Sequence, residues 1–300
     1  MSLDIFGFRA LWSPFFFIFV LLIAASYFLL TTKYIRVFKN SKPLTQSQII
    51  FFSLTMVLIY IVKGSPLDLM GHLMFYAHMI QMSVLLFIIP PILILAVPVW
   101  LWENIWSIPI LKTIMALFTR PIIALVLFNV TFSLYHIPFI FDVVKTTMWL
   151  HEAYTSLLFM LAFCMWWPLV NKLDKNRSII GLKKVAYIFA SGALILPACA
   201  LIIFNDSPMY AAYSDPKLWA QALALCVPQA TLASLDLSGP EMFTSLSLIH
   251  DQQLGGVLMK IIQEIVYGIV LARVFFDWYR KDQEETEAEQ LKAYHPQPVE

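Results

Sequence analysis

Seven long runs of apolar residues constrain the fold of this chain more than any other feature. Sixty per cent of its 300 residues are hydrophobic and only 13% are charged. A helix that crosses the hydrocarbon core of a bilayer needs about 20 mostly apolar residues. The sequence predicts an all-α integral membrane protein, a bundle of seven transmembrane helices. Its spans are expected near 13–31, 48–62, 73–97, 120–137, 151–170, 185–204 and 253–275.

Lysine and arginine are distributed unequally between the segments that join these spans. Fifteen of the 20 fall on one side, in or beside 32–47, 112–120, 171–184 and 273–292. The opposite side holds Arg9, Lys63, Lys145 and Lys217. Because basic residues favour cytoplasmic loops, the N-terminus is expected outside the cell and the C-terminus inside.

The spans and their flanks predict two parts of unequal size. Residues 1–277 are expected to form the transmembrane domain, and the polar, acidic residues 278–300 a cytoplasmic tail. The outer segment 205–250 contains an apolar stretch, 218–228, that is too short to span. We expect it to form an interfacial or re-entrant helix packed over the outer mouth of the bundle.

Histidines are concentrated at the predicted outer ends of the spans. Five of the six are His72, His78, His136, His151 and His250, and the sixth, His295, is in the tail. Helical spacing places Met74, His78 and Met82 on one face. Polar groups within lipid turn toward the bundle interior. The sequence therefore predicts that imidazoles from several spans converge beneath the outer surface.

Histidine combined with methionine favours copper, especially Cu(I), because the thioether is a soft ligand. The candidate ligands are His72, His78, Met82, His136, His151, His250 and Asp251. Of these, His78, His136 and His151 are expected to bind the ion, with Met82 as a soft partner. Gln252 and Gln253 are expected to orient the imidazoles through hydrogen bonds. For each histidine alone, an interfacial hydrogen bond is the alternative interpretation.

Common catalytic motifs do not occur in the sequence. There is no GxSxG, no P-loop and no dinucleotide fingerprint, and Thr155 stands where a zinc protease that begins with His151-Glu152 needs a second histidine. Lys260 and Glu264 lie four residues apart in the seventh span and are expected to pair. The net charge of +1 gives no indication of a nucleic-acid partner. The chain is therefore not expected to be an enzyme.

Short polar and proline-containing motifs recur along the predicted spans. The motifs are DQQLGGVLM at 251–259, HMIQ at 78–81 followed by Pro90 and Pro91, YHIP at 135–138, HE at 151–152 and WWP at 166–168. Together they resemble the seven-helix CtaG family, assembly factors for cytochrome c oxidase of the caa3 type, across nearly all spans. Where the family pattern often has a second histidine, this chain has Met82 and Thr155.

The resemblance implies a non-enzymatic role in a bacterial cell membrane. The chain would help form active oxidase by aiding the delivery of copper, its implied metal. Subunits of cytochrome c oxidase would be its partners, with other copper-delivery proteins as a second class, in addition to the lipid bilayer.

Three other functions remain open at the level of sequence. A structural assembly scaffold would need no metal. A haem- or quinone-binding redox protein would use paired histidines as ligands. A transporter would use Lys260 and Glu264, although the sequence has no clear inverted repeat.

Overall fold

The computed structural model describes residues 2–173, 179, 181–235 and 237–294. Within these residues the regular secondary structure is helical, without any strand, and loops join the helices. The α-helices are α1 (Phe8–Trp12), α2 (Pro14–Thr31), α3 (Gln46–Gly64), α4 (Pro66–Leu73), α5 (Phe75–Ser83), α6 (Ile89–Ala96), α7 (Val99–Trp106), α8 (Pro109–Phe118), α9 (Pro121–Tyr135), α10 (Pro138–Thr146), α11 (Met148–Val170), α12 (Leu182–Ile203), α13 (Ala211–Ser214), α14 (Pro216–Leu223), α15 (Gln229–Ala233) and α16 (Leu248–Tyr294). Short 3₁₀ turns occupy Leu3–Phe6, Ile35–Val37 and Pro240–Met242, and a π-helical turn occupies Val84–Ile88.

Six helical stretches are long and apolar enough to cross a membrane. They are Phe8–Thr31, Gln46–Gly64, Phe75–Ala96, Met148–Val170, Leu182–Ile203 and Leu248–Glu284. The all-helical membrane fold and six of the predicted spans are thereby confirmed by length and composition. The sixth stretch continues as helix into the region predicted to be the polar tail.

The predicted fourth span is the exception. Its helix, α9, has 15 residues, about 22 Å at a rise of about 1.5 Å per residue. The hydrocarbon core of a bilayer is about 30 Å thick. Helix α9 reaches spanning length only together with α8, and these two helices meet at 77°. The predicted count of seven transmembrane helices is therefore not confirmed.

Helix α5 begins at Phe75 because a carboxylate from a distant helix caps it. Met74 is extended and separates α4 from α5. Asp251, in the first turn of α16, accepts hydrogen bonds from the backbone N–H groups of Phe75 (2.8 Å) and Tyr76 (3.0 Å). The first N–H groups of a helix have no partner within it, and a negative charge there is favourable. This contact fixes α16 against the start of α5.

Two adjacent glycines let α16 pass closely between α5 and α12. A Cβ atom on Gly255 would lie 2.7 Å from Cδ1 of Phe75, and one on Gly256 would lie 2.8 Å from Cγ2 of Ile202. Contacts this short are not tolerated. The two glycines thus allow a close approach of the neighbouring helices, as small residues do between membrane helices.

A π-helical turn marks the position where Pro90 and Pro91 interrupt the third spanning stretch. Proline lacks an N–H, so the carbonyl of Leu86, four residues before Pro90, loses its helical partner. The indole Nε1 of Trp166 donates to this carbonyl at 3.1 Å. A side chain from α11 thus replaces the missing backbone donor.

We use the name covering segment for residues 207–227, which include α13 and α14. Trp219 is fully buried and its Nε1 donates to the carbonyl of Leu73 at 3.2 Å. The Asp142 carboxylate accepts from the N–H groups of Ala211 and Ala212 at 3.1 and 2.9 Å. The short helix predicted within 218–228 is found at Pro216–Leu223, packed against α4.

Replacement of Asp251 tests the contact between α16 and α5. Asp251→Ala leaves two N–H groups uncapped, so the free energy of unfolding in detergent micelles is expected to fall by about 1–2 kcal/mol. Asp251→Asn keeps one acceptor oxygen, so its free energy of unfolding is expected to fall by less. Denaturant titration followed by circular dichroism measures both. The exposed Asp282 provides the control, and an Asp282→Ala variant as unstable as Asp251→Ala would contradict the capping role.

Candidate functional site

The candidate site is a group of polar side chains enclosed where α4, α5, α10 and α11 meet the covering segment. We call it the buried polar cluster, and its members are Asp68, His72, His78, Gln81, Lys145 and His151. Exposed fractions are 3% for His72, 1% for His78, 0% for Lys145 and 4% for His151. At its edge Lys63 and Glu152 form an ion pair at 3.5 Å. Buried groups of this kind need partners within the protein.

His72 and His151 lie next to each other in this cluster. His72 is in the last turn of α4 and His151 in the first turn of α11. Their ring centroids are 5.4 Å apart, with 62° between the ring planes. Nδ1 of His72 lies 2.9 Å from the carbonyl oxygen of Ala222 in the covering segment. A carbonyl only accepts, so Nδ1 carries the proton and Nε2 carries the lone pair.

His151 contributes a buried ring nitrogen that is not satisfied within the protein. Its Nδ1 is enclosed and has no hydrogen-bond partner. Most buried polar atoms are hydrogen-bonded, so such an atom calls for an explanation, and a bound ion is one. The pair His72–His151 is therefore the part of the cluster with the chemistry of a ligand site.

His78, by contrast, is engaged at both ring nitrogens. Nε2 lies 3.1 Å from the hydroxyl of Tyr135, and Nδ1 lies 3.4 Å from Nζ of Lys145. Its ring centroid is 5.4 Å from that of Phe141. Met82, one helical turn further along α5, is buried in the hydrophobic core. The structure thus surrounds His78 with aromatic rings and an amine.

His136 lies at the C-terminal end of α9 in a separate environment. Its Nδ1 donates to the carbonyl of Phe132 at 2.7 Å, while its Nε2 is buried without a partner. Its ring centroid lies 4.4 Å from that of Phe132 and 5.3 Å from that of Tyr135. Tyr210 of the covering segment donates to its carbonyl at 2.9 Å.

The remaining predicted site residues, at the start of α16, bind backbone groups or face outward. His250 is exposed, with Nδ1 2.8 Å from the hydroxyl of Ser247. Gln252 accepts from the N–H of Met209 at 2.8 Å, and Gln253 donates to the carbonyl of Asn205 at 3.3 Å. Asp251 caps α5, as described above. His295, in the predicted tail, lies outside the described residues.

The structure therefore brings His72 and His151 into contact and places His78 in the same cluster, engaged with Lys145. The other predicted ligands, His136, His250, Asp251 and Met82, have other partners or surroundings. Within the described part of the chain, no three histidine, cysteine, aspartate or glutamate side chains are grouped so that they could hold a metal ion. The predicted pairing of Lys260 with Glu264 is confirmed, and Nζ of Lys260 also donates to Gln263 at 2.9 Å.

Lys145, like Asp68 and Gln81, belongs to the cluster although the sequence did not predict it as a site residue. The charge pattern predicts it only as a basic residue on the outer side. It is fully buried, and its Nζ donates to the carbonyl of Gly71 at 3.0 Å. The spacing in α10 indicates that Lys145 is buried, because Phe141 and Lys145 are four residues apart and share the buried face. A lysine in register with buried apolar residues faces the interior.

Burial sets the charge states in the part of the cluster outside the spans. It lowers the pKa of Lys145 to about 7, with Asp68 opposing this shift. Burial also raises the pKa of Asp68, against the neighbouring charges of Lys63 and Lys145. It lowers the pKa of His72 well below 6.5, so this imidazole is neutral at pH 7. A neutral imidazole is the form that binds metals.

Lys145 gives a pH dependence of stability with a defined sign. The folded-state pKa is lowered from 10.5 to about 7, so between these values the unfolded chain binds more protons than the folded chain. The free energy of unfolding should rise with pH across this window, by up to about 1.4 kcal/mol per pH unit. Lys145→Met should lose this rise. Denaturant titrations in micelles from about pH 7 to about pH 10 measure it.

Lys217, which is exposed on the covering segment, provides the matched control. Lys217→Met should keep the rise of the parent protein. An equal rise in Lys145→Met would show that the buried amine does not cause it.

Comparison with known proteins places this site in a family. A family model described as cytochrome c oxidase caa3 assembly factor (Caa3_CtaG) matches residues 25–281. No curated protein and no solved structure matches the chain. The matched range contains the buried polar cluster, the covering segment and the 251–259 motif, and it confirms the resemblance indicated by the sequence motifs. The chain therefore belongs to the Caa3_CtaG family of cytochrome c oxidase caa3 assembly factors.

Proposed function

We propose that this membrane protein assists the assembly of caa3-type cytochrome c oxidase by holding copper, as cargo, at His72 and His151. The observation that carries the proposal is the contact between these two buried imidazoles, 5.4 Å apart between ring centroids. The role in oxidase assembly is that of the family. Our proposal adds to this family role that copper is bound and that His72 and His151 bind it.

The chemistry of the pair fits Cu(I). Metal-binding histidines commonly donate their second ring N–H to a backbone carbonyl, which fixes the tautomer. His72 has this arrangement with Ala222, and its lowered pKa keeps the ring neutral. His151 adds a buried nitrogen without a hydrogen-bond partner. Imidazole is a suitable copper ligand, and a site with only two protein ligands leaves room for a third from the acceptor.

The distribution of basic residues supports an extracytoplasmic position for the pair. Loops rich in lysine and arginine favour the cytoplasm, and they flank the opposite ends of the spans. A bacterial cell membrane is the expected location. Copper would then arrive from a delivery protein outside the cell and pass to an oxidase subunit by ligand exchange.

The other ligands predicted from the sequence are not included in the proposed copper site. His78 is engaged at both ring nitrogens, and His136 is held by its own helix. Met82, on α5, is buried in the hydrophobic core. These residues are proposed to support the helices around the pair without binding the ion.

A metal-free assembly scaffold is the second candidate function. The observation in its favour is that the described residues contain no group of three or more histidine, cysteine, aspartate or glutamate side chains suited to a metal ion. In that case the buried polar cluster would only join the helices, and the partner surface would perform the assembly role.

Copper binding separates the two functions. Under reducing conditions the purified protein is expected to bind stoichiometric Cu(I). His72→Ala and His151→Ala should each weaken binding by more than about tenfold, since even indirect partners of a metal contribute about that much. Competition with a chromogenic Cu(I) chelator, together with metal analysis, measures the affinity.

His250→Ala is the matched control, because His250 is an exposed imidazole near the same end of the bundle. It should bind copper as the parent does. Each variant is also expressed in cells lacking the native gene, and membrane cytochrome c oxidation is measured. A parent protein that restores oxidase but binds no copper would support the scaffold. Full copper retention in both His72→Ala and His151→Ala would exclude the pair.

A further inference from the structure

A cavity lies at the end of the bundle opposite the histidine pair. It has a volume of about 410 Å³ and is bounded by α3, α6, α11 and α16. Its walls include Phe51, Phe87, Pro91, Leu95, Val266 and Val270. Binding cavities for small molecules usually measure about 300–1,000 Å³. This cavity is large enough for part of an extended apolar chain.

Three basic side chains line this cavity where the spans end. Lys172 follows the end of α11, Lys184 is in the first turn of α12, and Arg273 is on α16. Nζ of Lys184 donates to the carbonyl of Leu169 at 3.0 Å, which holds its positive charge at this position. Lys172 and Arg273 also line an adjoining cavity of about 280 Å³.

Among the described residues that line the cavity there is one carboxylate, and it has a basic partner of its own. Asp277 pairs with Arg280, with an oxygen–nitrogen distance of 2.7 Å. Within the described part of the lining, three basic groups therefore stand against one acidic group. A cavity with apolar walls and a basic mouth is complementary to an amphiphile with a negative head.

The position of the basic groups identifies the class of amphiphile. The ends of spanning helices lie at the boundary between hydrocarbon and water, which is where phospholipid phosphates lie. Basic pockets between transmembrane helices bind anionic lipid headgroups. We propose that this cavity binds one anionic phospholipid, with its phosphate at Lys172, Lys184 and Arg273 and an acyl chain against the apolar wall. The proposal does not depend on copper binding.

Lipid titration followed by native mass spectrometry tests this site. Delipidated protein is titrated with phosphatidylglycerol, with phosphatidylcholine of the same acyl chains, and with glycerol phosphate. Phosphatidylglycerol should bind most tightly, and glycerol phosphate should not displace it. Lys172→Gln and Arg273→Gln should each weaken its binding about fivefold. Val270→Trp should abolish binding by filling the cavity while keeping every charge.

Lys183→Gln is the matched control, since Lys183 is adjacent to Lys184 but exposed and outside the cavity lining. Its affinity for phosphatidylglycerol should equal that of the parent. Equal weakening by Lys183→Gln, or equal affinity for the two lipids, would overturn a specific site. Complete displacement by glycerol phosphate would identify a soluble phosphate ligand instead. If Val270→Trp does not fold, the two glutamine variants still decide between these outcomes.

Discussion

The need to satisfy backbone groups in an apolar environment governs this structure. Unpaired N–H and C=O groups are costly in lipid, so every break in a helix requires a substitute partner. Here the substitutes are side chains from other elements. The carboxylate of Asp251 accepts from an N–H group at the start of α5. The indoles of Trp166, Trp102 and Trp219 donate to the carbonyls of Leu86, Ile94 and Leu73, respectively. The amine of Lys145 donates to the carbonyl of Gly71.

The break between α4 and α5 explains the position of the candidate site. The last carbonyls of a helix have no partner within it, and cations are favourable there. Gly71 and Leu73 supply such carbonyls, and Lys145, Tyr213 and Trp219 donate to them. His72 lies between these two residues, so the same groups that end α4 enclose its imidazole.

Sequence patterns predicted those features that depend on local composition or on spacing along one helix. Apolar runs gave six spans, and the four-residue spacing of Lys260 and Glu264 gave their ion pair. The fourth span is not confirmed, because Pro121 and the Ile137–Pro138 pair bound a helix of only 15 residues. Hydropathy averages over a window and does not register that a proline stops the helix.

The candidate site was predicted in part, for a related reason. Helical spacing shows which residues share a face but not which neighbouring helix that face meets. His72 and His151 were both among the candidates, yet their contact depends on how α4 and α11 pack. The sequence predicts Asp251 as a metal ligand because nothing in it matches this carboxylate to N–H groups that are 175 and 176 positions away.

The hydrogen bond between His72 and Ala222 couples the covering segment to the state of the imidazole. The carbonyl of Ala222 selects one tautomer and holds the ring in place. Any movement that lifts this segment away removes that preorganisation at the same moment as it admits solvent. If copper binds at His72 as proposed, its loading and release would follow one local opening of the covering segment, and the open form would bind the ion more weakly than the closed form.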